Sequence, residues 1–412
     1  MKRLVSVTLL LGLLPAGLAR GSTPAGPLRR FALVAGANRG AADRVPLRYA
    51  VLDAERFAEV VTRMGGVAPD DRIVLREPTR QAFLDALNAT AERAGQAMAG
   101  SQRVEVLVYF SGHADDQGLM LGRETLPYRE LRAAVGAISA HVGITILDAC
   151  ASGAITRLKG GQNHPAFLSD LSHVVQGYAF LASSSENEAA QESERLRGSF
   201  FTHALLTGLR GAADTSGDGK VTLNEAYQFA FQETLVQTAA TQGGTQHPAY
   251  DIKMAGTGDV VMTDVRQTSS SLVLGVDYEG RFLVLNARRH LVAELFKPQG
   301  RQVELALEPG AYEVYYEQRP QVLKTSVTMA DGQRQELLRA DLKPTPHLPT
   351  QRRGPDQDAG APPPRRAASP LGIRLAGESF GPEDGGLGFR PRIDLVFQPT
   401  DRLSLRPHVG FG

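Results

Sequence analysis

Two apolar runs, Val104-Glu105-Val106-Leu107-Val108 and Ile144-Thr145-Ile146-Leu147, constrain this chain more than any other feature. Both are short and mostly β-branched or aliphatic, so they read as strands buried on both faces. Strands of that kind belong to parallel sheets covered by helices on each side. Each run leads into a turn of small residues that carries one reactive side chain. The first turn is Ser111-Gly112-His113-Ala114, and the second is Asp148-Ala149-Cys150-Ala151-Ser152-Gly153. Open α/β sheets bind ligands outside the carboxyl ends of their strands. An imidazole and a thiol are therefore expected at one sheet edge, and Cys150 is the only cysteine in the chain. A His and a Cys placed together suit nucleophilic catalysis. Taken singly, each has a plainer reading: a small buried hydrophobe for Cys150, a turn or core residue for His113.

The rest of residues 28–262 fits one α/β domain. Phe31-Ala32-Leu33-Val34-Ala35-Gly36 reads as a buried strand, and Leu52, Phe57, Val60 and Val61 share one helical face that Gly65-Gly66 ends. Arg72–Leu75 is a short strand, and Thr79 caps a helix carrying Phe83, Leu84 and Leu87. A hairpin is expected over Leu119–Thr125 and a helix from Pro127. Tyr178–Ala182 is a further strand, followed by helices over Phe200–Leu209 and Glu225–Thr238. The expected fold class is α/β, a mainly parallel sheet sandwiched by helices.

Beyond that domain the pattern changes. Residues 263–343 hold short strand-like runs broken by turns such as Pro309-Gly310 and Asp331-Gly332, which predicts a small β-sandwich-like domain serving as spacer or docking module. Residues 344–369 form a Pro/Arg-rich linker. Residues 370–412 alternate apolar and polar residues in three stretches, 372–376, 393–397 and 403–406. They resemble the opening strands of an outer-membrane barrel. Three strands cannot close one, so the alternatives are a chain that continues further or a plain β-hairpin appendage. At the other end, Lys2 and Arg3, the apolar Leu4–Leu14 and the small residues of Pro15–Ala19 read as a cleaved signal peptide over residues 1–20, with an uncleaved anchor as the alternative. The expected location is periplasmic or at the cell envelope, including the outer membrane through the tail. There the single thiol must stay reduced to act. The net charge of +1 gives no reason to expect a nucleic-acid partner.

The segments around His113 and Cys150, with Gly198-Ser199-Phe200-Phe201-Thr202-His203-Ala204-Leu205-Leu206 and the acidic turn after it, resemble the caspase-like cysteine peptidases. The likeness spans about residues 28–260 and is nearer to metacaspases and other bacterial members than to animal caspases. It implies a caspase-hemoglobinase-like fold and a cysteine endopeptidase acting through a His113/Cys150 dyad, a thioester intermediate and no required cofactor. It also implies an oxyanion hole from the backbone N–H groups of Cys150 and Ala114. Alanine stands where animal caspases carry glycine, which keeps the donor.

Animal caspases cut after Asp and use arginines in their pocket. Here Asp148 sits two residues before the thiol, where metacaspases carry an acid that binds Arg or Lys. Leu52-Asp53-Ala54 matches a second pocket acid, and Ser111 fills a third position. Two carboxylates and a hydroxyl suit a guanidinium or ammonium, so the expected partners are proteins or peptides with Arg or Lys before the scissile bond. Asp53 and Asp148 as turn or cap residues are the plainer reading. Residues 154–176 form a loop with Arg157 and Lys159, where family members can cleave themselves. The loop of Ser183–Glu188, with Glu192 and Glu194, is expected to line the substrate groove or to be a solvated surface.

Asp214–Glu225 has calcium-loop spacing. Asp214, Ser216, Asp218, Lys220 (through its carbonyl), Thr222 and Glu225 take the ligand positions and Gly219 the turn. The alternative is an Asp/Gly turn between helices with no metal. No zinc-like cluster is present among the histidines. Three other functions compete: a clostripain- or gingipain-like peptidase, a non-catalytic caspase-like interaction module of the envelope, and a calcium-sensing envelope protein.

Overall fold

The structure is a computed structural model that describes residues 27–41, 44–100, 102–150, 152–157, 176–185, 188–256, 259–318, 320–346, 348, 371–380 and 388–397. Strand β1 (Leu28–Ala37) leads through α1 (Ala50–Arg63) to β2 (Val67–Arg76), and α2 (Arg80–Ala99) returns the chain to β3 (Arg103–Gly112). The hairpin of β4 (Gly118–Leu121) and β5 (Glu124–Pro127) precedes α3 (Tyr128–Gly136) and β6 (Val142–Asp148). Next come α4 (Ala154–Arg157), β7 (Gln176–Ala182) and the short strands β8 (Glu192–Ser193) and β9 (Gly198–Ser199). Helix α5 (Phe200–Thr207) runs into a π-helical turn over Gly208–Ala212, followed by β10 (Lys220–Thr222), α6 (Leu223–Thr238) and β11 (Ala249–Ala255).

The central sheet has the order β11-β7-β6-β3-β1-β2. Its neighbours run parallel except β11, which is antiparallel to β7. The sequence reading contains no strand at β11, because Tyr250 and Ile252 lie exposed on this sheet edge and form no buried run. Strand alternation builds the two layers. Ala32, Val34, Leu107, Tyr109, Ile144 and Ile146 face α1, α5 and α6. Phe31, Leu33, Val106, Val108 and Phe110 face α2 and α3. The chain leaves β1 towards one side of the sheet and β3 towards the other. The crevice at their carboxyl ends is therefore the topological switch point where open α/β sheets take ligands.

The expected boundary between residues 262 and 263 falls inside β12 (Val261–Asp264), which pairs with β10. After it come β13 (Ser271–Leu274), β14 (Gly280–Asn286), β15 (Leu291–Lys297), β16 (Val303–Ala306), β17 (Gly310–Gln318), β18 (Gln321–Met329), β19 (Arg334–Glu336) and β20 (Lys343–Thr345). They make a three-stranded sheet, β16-β13-β19, and a five-stranded one, β15-β14-β17-β18-β20. Leu272, Phe282, Val284, Leu295, Val314 and Tyr316 form their apolar core. This β-domain does not stand apart as a spacer. Leu196 and Phe200 share a buried apolar cluster with its Leu283, Leu285, Leu291 and Tyr315, and residues 1–350 cluster as one compact unit.

Residues 351–412 are a second unit, in which β21 (Leu371–Phe380) and β22 (Gly388–Phe397) pair antiparallel. The segment expected to be a signal peptide, most of the linker and the stretch at 403–406 lie outside the described residues. Among the described residues no helix is long and apolar enough to cross a membrane.

Candidate active site

Strands β3 and β6 are parallel neighbours, and Ser111 pairs in register with Asp148. His113 and Cys150 each follow two residues later, so the register delivers both to the same sheet edge. The hairpin holds the His113 turn: Met120 N–H donates to His113 O at 2.9 Å, and Asp115 N–H to Gly118 O at 3.2 Å. Ala114 lies between those bonds, bridged to Leu119 as a non-hydrogen-bonded pair, so its N–H points away from the hairpin. The Cys150 turn is held from behind. Ala149 N–H donates to Ser183 Oγ at 3.1 Å, and Ser184 Oγ donates to Ala149 O at 3.1 Å. Ser183 and Ser184, expected to line the groove, are fully buried instead, because they satisfy this turn's backbone.

The His113 ring packs on Gly40, where a Cβ would come within 2.8 Å of ring Cδ2. Its Nε2 is buried and has no hydrogen-bond partner among the described residues, while the backbone of Val45 bonds the ring. Nε2 is thus the buried ring nitrogen left open to accept a proton. Burial lowers the His113 pKa; Val45 works against the shift and the nearby Arg44 adds to it. Cys150 is partly buried, and burial pushes its thiol pKa up. Its Sγ lies 3.9 Å from Ala190 O, to which it can donate. Both directions favour a neutral thiol and a neutral imidazole before substrate arrives.

Asp53, Asp148 and Ser111 are all buried. Asp148 Oδ2 accepts from the hydroxyls of Ser199 and Thr202, while its Oδ1 is buried with no partner among the described residues. Asp53 Oδ2 accepts from Ser199 N–H at 2.8 Å, and its Oδ1 lies 3.9 Å from Arg56 Nη1. Ser199 therefore ties the two carboxylates to one residue. Ser111 faces the Tyr109 hydroxyl, which sits 2.7 Å from Thr202 Oγ1. Burial raises both aspartate pKa values, with Asp148 adding to the rise at Asp53. Glu192 is raised as well, mainly by burial and further by Asp148. Of these acids Asp148 keeps a buried oxygen, Oδ1, with no hydrogen bond among the described residues, and a cation would satisfy it.

The sequence reading gave no site role to Ser199, Thr202 or Gly40. Ser199 had one local signal, a capping position before an apolar run; it caps α5 by accepting from Thr202 N–H at 3.0 Å. Gly198 also matters, since a Cβ there would lie 2.5 Å from Asp53 Oδ1. Glu192 proves to be more than a groove acid. It accepts from the N–H groups of Arg48 and Tyr49, both at 3.0 Å, and caps the start of α1, which has no side-chain cap of its own. Glu194 bonds Arg48 and the Tyr49 hydroxyl.

The candidate calcium loop closes on itself. Asp214 accepts from Gly217 and Gly219 N–H and from Ser216 Oγ, and Asp218 accepts from Lys220 N–H. Glu225 bonds Thr215, Ser216 and Thr222, making with Thr222 the capping box of α6. Among the described residues no group of three or more His, Cys, Asp or Glu stands close enough to hold a metal ion. Lys159 lies outside the described residues, and Arg157 ends α4.

A solved structure titled "Crystal Structure of Caspase-1 from Spodoptera frugiperda" is 15% identical, with a TM-score of 0.41, covering 59% of this chain and 98% of that one. No curated protein matches the chain. The family described as "Caspase domain" matches residues 29–256. That match spans more than half of the chain, and the protein belongs to the caspase-domain family of cysteine peptidases.

Proposed function

We propose that this caspase-family peptidase cleaves proteins after Arg or Lys, with Cys150 as nucleophile and His113 as its proton shuttle. One observation carries the reading. Asp53 and Asp148 are buried on shared partners beside the thiol's strand, and Asp148 Oδ1 has no hydrogen bond among the described residues. A substrate carboxylate would add a further negative charge to this group. A guanidinium or ammonium brings donors and the opposite charge, with arginine matching two carboxylates at once.

The chemistry follows from the same residues. His113 Nε2 takes the thiol proton as Cys150 Sγ attacks the scissile carbonyl carbon. The oxyanion is met by the N–H of Cys150 and of Ala114, whose hydrogen is turned out of the hairpin. The tetrahedral centre collapses as Nε2–H protonates the departing amine, leaving a thioester on Sγ. Water attacks the thioester with His113 as base, releases the new carboxylate and restores the thiol. A neutral resting pair suits this concerted transfer, since no charge waits unpaired in a partly buried site.

We also propose export, supported by Lys2, Arg3 and the apolar stretch after them, and an envelope contact supported by the alternation in residues 370–412. Fractionation of the tagged full chain tests both. The function is tested by turnover of Arg-, Lys- and Asp-ending fluorogenic peptides by the full chain, with and without calcium, beside Cys150→Ala. Arg or Lys turnover that vanishes in the variant is the expected result. Asp turnover would overturn the specificity and keep the peptidase. A calcium response that is lost in Asp214→Ala would bring the Asp214–Glu225 loop into the mechanism.

A further inference from the structure

The loop from Glu192 to Ser199 has its two ends in the candidate pocket and its middle in the β-domain. Glu192 holds the start of α1, and Ser199 holds Asp53 and Asp148. Between them, Arg195 Nη1 meets Glu294 Oε2 at 2.6 Å, and Arg281 Nε bonds the other oxygen of Glu294 at 2.7 Å. Leu196 is fully buried among Leu283, Leu285, Leu291 and Tyr315. Arg197 Nη1 lies 2.9 Å from His290 Nε2. The Arg197 backbone has a φ of 50°, the left-handed region that side chains other than glycine avoid, and its carbonyl accepts from Arg56 Nη1 at 2.8 Å. Arg56 is the same cation that stands near Asp53. An unfavourable backbone state in a short loop persists only where surrounding contacts hold it, and such strain clusters at ligand sites. Here those contacts come from β14, β15 and β17, about a hundred residues further along the chain.

We propose that Glu294, Arg195 and Leu196 are positioning residues for substrate selection. By docking the Glu192–Ser199 loop, the β-domain keeps Ser199 where it can bridge both pocket aspartates. The inference rests on the Arg/Lys pocket reading but adds a dependence on a domain outside the family match.

The test uses the full chain and the variants Arg195→Met, Leu196→Ala and Glu294→Gln. Arg195→Met should stay folded, because Glu294 keeps Arg281. Three quantities are measured: kcat and KM on an Arg-ending peptide, the rate of Cys150 alkylation by iodoacetamide, and hydrogen exchange at the Tyr49 and Ser199 amides. We expect KM to rise roughly tenfold or more, alkylation to stay within about twofold of the parent, and both amides to exchange faster. The Arg195→Met/Glu294→Gln pair should be no worse than the worse single change. Unchanged KM and exchange in folded Arg195→Met and Leu196→Ala would overturn the proposal, as would a fall in alkylation with KM intact. Preference of the parent for Asp-ending peptides would sink the pocket reading instead, and amide exchange together with KM on the preferred peptide would still decide the docking.

Discussion

Burial works on Cys150 and His113 in opposite senses, raising the thiol and lowering the imidazole, and both shifts keep the pair uncharged. In the free enzyme the alkylation rate should therefore climb mainly above the ordinary thiol value of 9.0, and a pH series with iodoacetamide checks this. A plateau extending down to about pH 6 would mean a preformed thiolate–imidazolium pair. The pocket acids carry a stability consequence. Their folded pKa values lie above the ordinary 3.8, so folding disfavours their charged forms. The stability they contribute is present below pH 3.8 and lost as pH rises through the raised folded values. Asp148→Asn should thus stabilise the ligand-free chain at neutral pH, while cutting Arg and Lys turnover by roughly a hundredfold or more. Thermal midpoints and peptide kinetics read the two effects, and a less stable variant with full turnover would refute the assignment.

At the scale of elements, the pocket depends on how β3, α1 and α5 meet. Phe57 of α1 stacks on Tyr109 of β3 with centroids 4.4 Å apart, and Tyr109 reaches Thr202 of α5. Phe57→Ala should cost about 3–5 kcal/mol in urea unfolding, since no side chain can collapse into so central a gap. Gly198→Ala is subtler. Its Cβ would press on Asp53 Oδ1, so KM for Arg peptides should rise roughly tenfold while the unfolding midpoint moves little. An unchanged KM would detach Gly198 from the pocket. The strands carrying His113 and Cys150 were legible from their β-branched runs, and the α2 start from its cap Thr79. The start of α1 was not, because the side chains that bond its first N–H groups, Asn38 and Glu192, lie elsewhere along the chain.

For the whole molecule, the β-domain is part of one unit with the sheet domain. A piece ending at residue 262 would cut β12 in the middle, removing part of the partner of β10, and would uncover Leu196 and Phe200. Such a piece should bind the hydrophobic dye ANS and melt well below the full chain, as tracked by circular dichroism and dye fluorescence. A truncated piece as stable and active as its parent would show that the β-domain is dispensable.

Local chemistry determined much of this protein by itself. Short, β-branched buried runs bounded by turns read as strands of a covered sheet, and the small-residue turns at their ends place side chains at its edge. His113 and Cys150 were therefore readable as a pair at matching strand ends, and the acids Asp53 and Asp148 through the family resemblance those segments carry. Tertiary structure alone decided the rest: that β3 and β6 are neighbours in a register aligning Ser111 with Asp148, that Ser199 joins Asp148 to Asp53, and that Arg195 and Leu196 dock on the β-domain. Those contacts join residues tens to more than a hundred positions apart. Helix and strand periodicity records which face a residue takes, but not which distant residue it meets there.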